Sequence, residues 1–458
     1  MKRFFGVLGV LILAAWAVAV IWTPEEPHPG RTTLYWSTDP NPARAAQLAP
    51  FMEMNPDLAV VVEPNTFDRT IVQCSTGIGP DLIETYTLSD MVAYAEAGIL
   101  LDLTPYAEEY GFSPDTTYEG VYGSITYDGR QYRYPANVSS SVLMYNKRIF
   151  EEAGLPEPED SMLWEDFIEL VQPLTVRRER GTGFQQFAMV MSQDRARDLH
   201  LQFGARFFTP DGTRCVLDSP ESIAALEFYS DLMYVHGIVP TPGAEAALAG
   251  EGGWGAGELR WFGTERAAVL WGARWMLVQL RTYPAMRDNI GVVLLPHPPG
   301  SKSVSLAGSR GPGINANSPH REEALRFLSY LASDTYGEII AQSADALPPN
   351  HIYSEQPERL INPDFPWEDL DFHKTFVESA RLSQADESTP FVDAKFVERV
   401  WIETLEYIEN RLRTPEEALR DATRRINNRI ERNINQRPDL RERYETLVAQ
   451  KTAEASGH

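Results

Sequence analysis

Polar side chains at the ends of two strand-like runs are the chemistry this sequence offers most clearly. Trp36-Ser37-Thr38-Asp39 closes a β-rich run from Thr32, and Glu84-Thr85-Tyr86 closes another that begins at Asp81. Open α/β sheets form their sites at the carboxyl ends of strands, so Ser37, Thr38, Asp39, Glu84 and Tyr86 are candidate contacts for a polar small molecule. Asp39 suits a turn or helix cap equally well. Catalysis finds less support. The eight histidines are isolated, with neither an H-E-x-x-H arrangement nor metal-ligand spacing, and no G-x-S-x-G nucleophile turn occurs. The chain is therefore expected not to be an enzyme, and no catalytic residue, metal or cofactor is expected.

The elements that must position these groups alternate. Thr32 to Ser37 and Leu58 to Glu63 have strand composition, and the Ala-rich run Pro42 to Met54 between them has helical spacing. After Gly79-Pro80 comes the strand Asp81 to Tyr86, then a helix Ser89 to Glu96 ended by Gly98. This β-α-β-α order predicts an α/β fold with mainly parallel, doubly wound sheets. Helix starts are written plainly at Thr414-Pro415-Glu416-Glu417, Ser219-Pro220-Glu221 and Ser318-Pro319. Val397, Trp401, Leu405, Ile408 and Leu412 mark one apolar helix face. Beyond Asn435 the sequence turns polar, and a frayed tail is expected over 435–458.

At 458 residues the chain exceeds what one core usually organises, which favours two lobes. A net charge of -24 argues against nucleic acid, whose phosphates require basic patches. Lys2 and Arg3 precede an uncharged apolar run from Phe4 to Trp22, the pattern of an export signal. Residues 1–22 read as a signal peptide, with Ala17-Val18-Ala19 as cleavage site, or as an uncleaved signal anchor. Residues 23–30, rich in Pro and acidic side chains, read as a tether. A periplasmic or extracytoplasmic location follows. Cys74 and Cys215 are the only cysteines. They read as two separate, mostly buried thiols.

The run from Arg133 through Tyr134-Pro135 to Leu143-Met144-Tyr145-Asn146-Lys147 reads as a hinge. Pro135 fixes its own φ and biases Tyr134 away from helix, and the β-branched and small residues after it suit an extended crossing. The run resembles the lobe crossing of extracellular solute-binding proteins of ABC importers, of the maltose-binding type. Further segments resemble that family in order: Gly79-Pro80-Asp81-Leu82-Ile83, Ala97-Gly98-Ile99-Leu100-Leu101, Asp128-Gly129-Arg130-Gln131-Tyr132, Phe150 to Leu155 with Trp164-Glu165-Asp166-Phe167, Ala267 to Trp275, and Leu306 to Ser318 with the helix after it.

The resemblance implies a two-lobe fold with discontinuous lobes, 31–135 with 308–348 and 136–307 with 349–434. It implies three crossings, beside Pro135, Gly308 and Pro349. It also implies that lobe closure captures a sugar, a mono- or oligosaccharide, and that a monomer delivers it to ABC permease subunits in the membrane. A tethered sensor, a carbohydrate-processing enzyme, or a binder of a polyamine or glycerophosphodiester are the alternatives. The family's stacking aromatic falls at Trp271 or Trp275, with Trp271 favoured. Its polar crossing contacts fall at Asn137 and Ser139, where a serine replaces the maltose-type carboxylate. Arg310, after the second crossing, would fork onto sugar hydroxyls or form a lobe ion pair. Residues 250–255 match G-x-G-x-x-G, but a helical run precedes them instead of a strand, so they read as a loop offering Trp254 to the cleft.

Overall fold

The computed structural model describes residues 28–64, 66–177, 184–248 and 257–456. The apolar N-terminal run, most of the expected tether and Trp254 lie outside the described residues. The strands are β1 (Thr32–Ser37), β2 (Leu58–Val62), β3 (Leu82–Thr85), a small hairpin of β4 (Thr126–Tyr127) and β5 (Arg130–Gln131), β6 (Val142–Asn146), β7 (Val176–Arg177), β8 (Phe184–Met191), β9 (Ala267–Gly272), β10 (Ile290–Val293) and β11 (Gly311–Ile314).

Two main sheets divide the chain into two lobes. The first has the order β11-β3-β1-β2. β1 runs parallel to β2 and β3, while β11 returns antiparallel, with Ile314 opposite Leu82. The second has the order β10-β6-β9-β8-β7, and only β8 and β9 are parallel in it. The expectation of mainly parallel strands thus fits the first sheet, whereas the second is mixed because β6 enters from the crossing and pairs antiparallel on both sides. Leu34, Trp36, Phe51 and Phe327 pack in one core of the first lobe, and Ile83, Met91 and Val92 in the other. Trp164, Phe167, Trp271 and Trp401 share one core of the second lobe; Met144, Phe187, Leu270 and Phe376 share another. Each such side chain contributes roughly 1.5–3 kcal/mol by leaving water.

The passages between the sheets lie side by side. Val138 exchanges backbone hydrogen bonds with Leu347 at 2.9 and 2.8 Å, and Ser139 does so with Gly308 at 2.8 and 2.7 Å. A short three-segment ribbon therefore joins the lobes. The approach of β11 to it admits no side chain at Gly311, where a Cβ would lie 2.1 Å from the Tyr134 carbonyl oxygen.

Helix signals hold with small shifts. Thr414 and Glu417 form the reciprocal capping box, and the Ser219 hydroxyl caps its helix. The helix after Ser318 begins only at Arg321, because the Ser318 hydroxyl accepts from His320 N and donates to Asp81. Leu412 falls beyond the helix Ala394–Glu409 and is exposed, so it is no part of the apolar face. The frayed tail is corrected too: Pro438–Ser456 is helical, and Leu440, Tyr444 and Leu447 lie against the core of the second lobe. Their i, i+4, i+7 spacing is an amphipathic stripe within a polar sequence.

Cys74 and Cys215 are free and buried, one in each lobe. Burial pushes the Cys74 thiol up to about 11 and that of Cys215 to about 12, which keeps both neutral. Among the described residues, no helix is long and apolar enough to cross a membrane.

Candidate ligand-binding cleft

A cavity of about 690 Å³ lies between the lobes, with the three-segment ribbon as its floor. Asn137, Ser139, Ser140, Gly308 and Asp345 contribute to the floor; Asp39, Arg44, Tyr86 and Ser89 come from the first lobe; Arg195, Arg197, Phe207, Trp275, Met276 and Trp401 come from the second.

A buried ionic lattice supports the first wall. Arg310 donates to Asp345 at 2.7 Å and lies 3.4 Å from Glu84; Arg44 donates to Asp345 at 2.7 Å and to Asp39 at 2.6 Å. Gln47 joins from the helix Ala43–Met54, donating to Asp345 at 2.8 Å. Burial alone would push the Asp345 carboxyl up, but Arg310 and Arg44 outweigh it and hold it below the usual carboxylate range. At Glu84 burial wins and raises the carboxyl, although Arg310, Arg44 and a 2.6 Å bond from Trp36 Nε1 favour the charged form. Asn137 ties the lattice to the floor, donating to the Asp345 carbonyl at 3.0 Å and accepting from Arg310 N at 3.3 Å.

The second wall is held as tightly. Ser141 donates to Asp198 at 2.6 Å and accepts from Arg195 at 2.8 Å, and Leu306 N donates to the other Asp198 oxygen at 2.8 Å. Arg197 pairs with Asp386 and lies over the rings of Phe207 and Trp401. His200, behind the wall, is driven down to about 3 by burial and then by Arg197, so it stays neutral and bonds Ser222. At the mouth the lobes meet: Ser89 donates to Glu398 at 2.7 Å, and Lys395 pairs with Asp90 at 2.6 Å.

Of the expected contacts, Asp39, Tyr86, Asn137, Ser139, Trp275 and Arg310 line this cavity. Four do not. Ser37 is the last residue of β1 and is buried within its sheet. Thr38 is buried too, its hydroxyl between Asp39 at 3.2 Å and Tyr86 at 3.3 Å. Glu84 lies beneath Arg310 and Trp36, in the supporting lattice. Trp271 is fully buried, opposite Leu143 in the sheet, with its ring 5.3 Å from that of Trp164. β9 sends Val269 and Trp271 into one core and Ala267 and Leu270 into another, so side chains still inside the strand meet packed protein. Trp275 stands one short 3₁₀ turn later, past the strand's end, and reaches the cavity. Arg310 has the ion-pair role, but with the carboxylates of its own lobe.

Residues that sequence reasoning missed follow a rule it used elsewhere. Arg195 and Arg197 lie just past the carboxyl end of β8, at Met191. Asp345 precedes the third passage with a sequence context that carries no such signal. Among the described residues, no group of three or more His, Cys, Asp or Glu side chains could hold a metal ion.

Residues 36–338 match the family model described as bacterial extracellular solute-binding protein. The chain is 28% identical over 332 residues to an arabinooligosaccharide-binding protein of Halalkalibacterium halodurans, covering 68% of each. It is 26% identical over 277 residues to a diacetylchitobiose binding protein of Streptomyces coelicolor, covering 59% of this chain and 60% of that one. Its fold is similar to that of an ABC substrate-binding protein from Listeria monocytogenes, solved in complex with cycloalternan, with a TM-score of 0.72 and 23% identity over 87% of this chain and 98% of that one. The chain belongs to the bacterial extracellular solute-binding protein family.

Proposed function

We propose that this protein is an exported, monomeric receptor that captures a carbohydrate by closing its two lobes and presents it, chemically unaltered, to the permease of an ABC importer. The observation that carries this reading is a cavity whose floor is the ribbon joining the lobes and whose walls come from both. A few φ/ψ changes in three short passages would swing one lobe against the other. A ligand touching both walls shifts the population toward closure.

Carbohydrate suits the walls. Trp275 and Tyr86 offer flat faces for sugar rings, while Asn137, Ser139 and Asp39 offer hydroxyl partners. Relatives named for arabinooligosaccharide and diacetylchitobiose agree with it. A phosphodiester is disfavoured, since Arg44, Arg195, Arg197 and Arg310 are already ion-paired with carboxylates and Arg133 donates to the carbonyls of Ser124, Thr85 and Ser309. The remaining lobe boundaries of the sequence reading, and export through the N-terminal run, belong to the same proposal.

A thermal-shift panel of mono- and oligosaccharides tests it. A ligand at about 100 times its Kd stabilises the native state by about 2.7 kcal/mol, enough to raise the midpoint measurably. A panel in which glycerophosphocholine or a polyamine raises the midpoint and no saccharide does would contradict the reading.

A further inference from the structure

A second chamber of about 340 Å³ adjoins the main cavity, and both share Phe208, Asp386, Glu387 and Ser388 as wall. We propose that this side chamber holds a further sugar unit, so that the ligand is an uncharged oligosaccharide of two or more units; this rests on the carbohydrate reading above.

Three observations carry it. First, the chamber lies between the lobes: Gly123, Tyr127 and Asp128 line it from one, Thr209 and Pro210 from the other. A unit placed there touches both lobes, so its contacts add to closure and not to binding by one lobe alone. Second, its wall is pinned before any ligand arrives. The Glu387 carboxylate accepts from Phe207 N at 3.2 Å and Phe208 N at 3.1 Å, and Thr389 donates to the Gly212 carbonyl at 2.7 Å. Gly212 has φ +69°, and a Cβ there would lie 2.7 Å from the Thr389 hydroxyl oxygen, so the turn is held close against that hydroxyl. Such preorganisation cuts the ordering cost of binding. Third, its charged groups are already matched: Arg443 pairs with Asp128 at 2.7 Å across the lobes, and Arg206 with Glu387 at 3.2 Å. Carboxylate oxygens accept from hydroxyls, whereas an anionic unit would meet Asp128, Asp386 and Glu387, and among the described lining residues both cations, Arg206 and Arg443, already have carboxylate partners.

The test measures affinity by calorimetry across the arabino-, xylo- and malto-series, from one to four units, for the natural protein and for Pro210→Trp. Pro210 is exposed and lines the side chamber, so an indole there takes up part of the chamber without disturbing a core. The natural protein is expected to bind two- or three-unit chains of one series at least about tenfold tighter than the single unit, a gain of about 1.4 kcal/mol. Pro210→Trp should lose that gain while keeping its unfolding midpoint, and oligogalacturonates of the same length should not bind. Equal affinity for all lengths, an undiminished gain in Pro210→Trp, or tight oligogalacturonate binding overturns the side-chamber proposal and leaves the carbohydrate reading standing. No response to any length in any series overturns both.

Discussion

Trp275→Ala is expected to abolish saccharide-induced stabilisation while leaving the unliganded protein folded, and Trp271→Ala is expected to do the reverse. Trp275 is half-buried and lines the cavity beyond the end of β9. It packs from the edge against the core that holds Met144 and Phe187, so removing it takes away a ring face for stacking and leaves a gap open to the cavity. Trp271 sits at 0% exposure against Trp164, in the core that also holds Phe167 and Trp401. Its truncation opens a cavity in close-packed protein and should cost about 3–5 kcal/mol. Ligand titration and denaturant unfolding of both variants check the pair. Retained sugar response in Trp275→Ala, or unchanged stability in Trp271→Ala, contradicts the assignment of the two rings.

Arg310→Met should destabilise the protein by about 3–5 kcal/mol at neutral pH, the usual consequence of removing one partner from a buried charge lattice. Asp345 would keep Arg44 and Gln47, but Glu84 would lose the nearer of its two arginines. The pH dependence has a definite sign. Asp345 is depressed in the folded state from its ordinary 3.8, so its contribution is present above that value and fades as pH falls. The deficit of Arg310→Met should therefore narrow below about pH 4, as the unfolded chain takes up a proton that folded wild-type Asp345 resists. Unfolding at pH 7 and at about pH 3 measures it. A deficit below about 1 kcal/mol at neutral pH would mean that the lattice is solvated like a surface pair.

What the sequence made legible is the path of the chain. Tyr134-Pro135 and the β-branched residues after it marked the first passage, and Val138 and Ser139 pair there with Leu347 and Gly308. Strand ends gave Asp39 and Tyr86 by the same logic. The misses share a physical cause: strand composition does not say which face of a residue meets protein. Trp271 and Trp275 differ by four positions and are equally aromatic, yet one is still inside the β9 pairing and the other is past it. Asp345 became visible only when Arg44, more than three hundred residues earlier, came within 2.7 Å. The helix at 438–456 was hidden because its apolar stripe is thin and its other faces are charged.

The contacts between the lobes decide what closure requires. Lys395–Asp90 and Arg443–Asp128 are partly exposed pairs, each contributing about 0–1 kcal/mol. Neither pair alone holds two lobes shut, and a ligand that touches both walls adds its contacts to closure. Small-angle scattering of the protein with and without a stabilising saccharide measures this directly. The radius of gyration is expected to fall when the saccharide is added; binding with no change in radius would contradict capture by lobe closure.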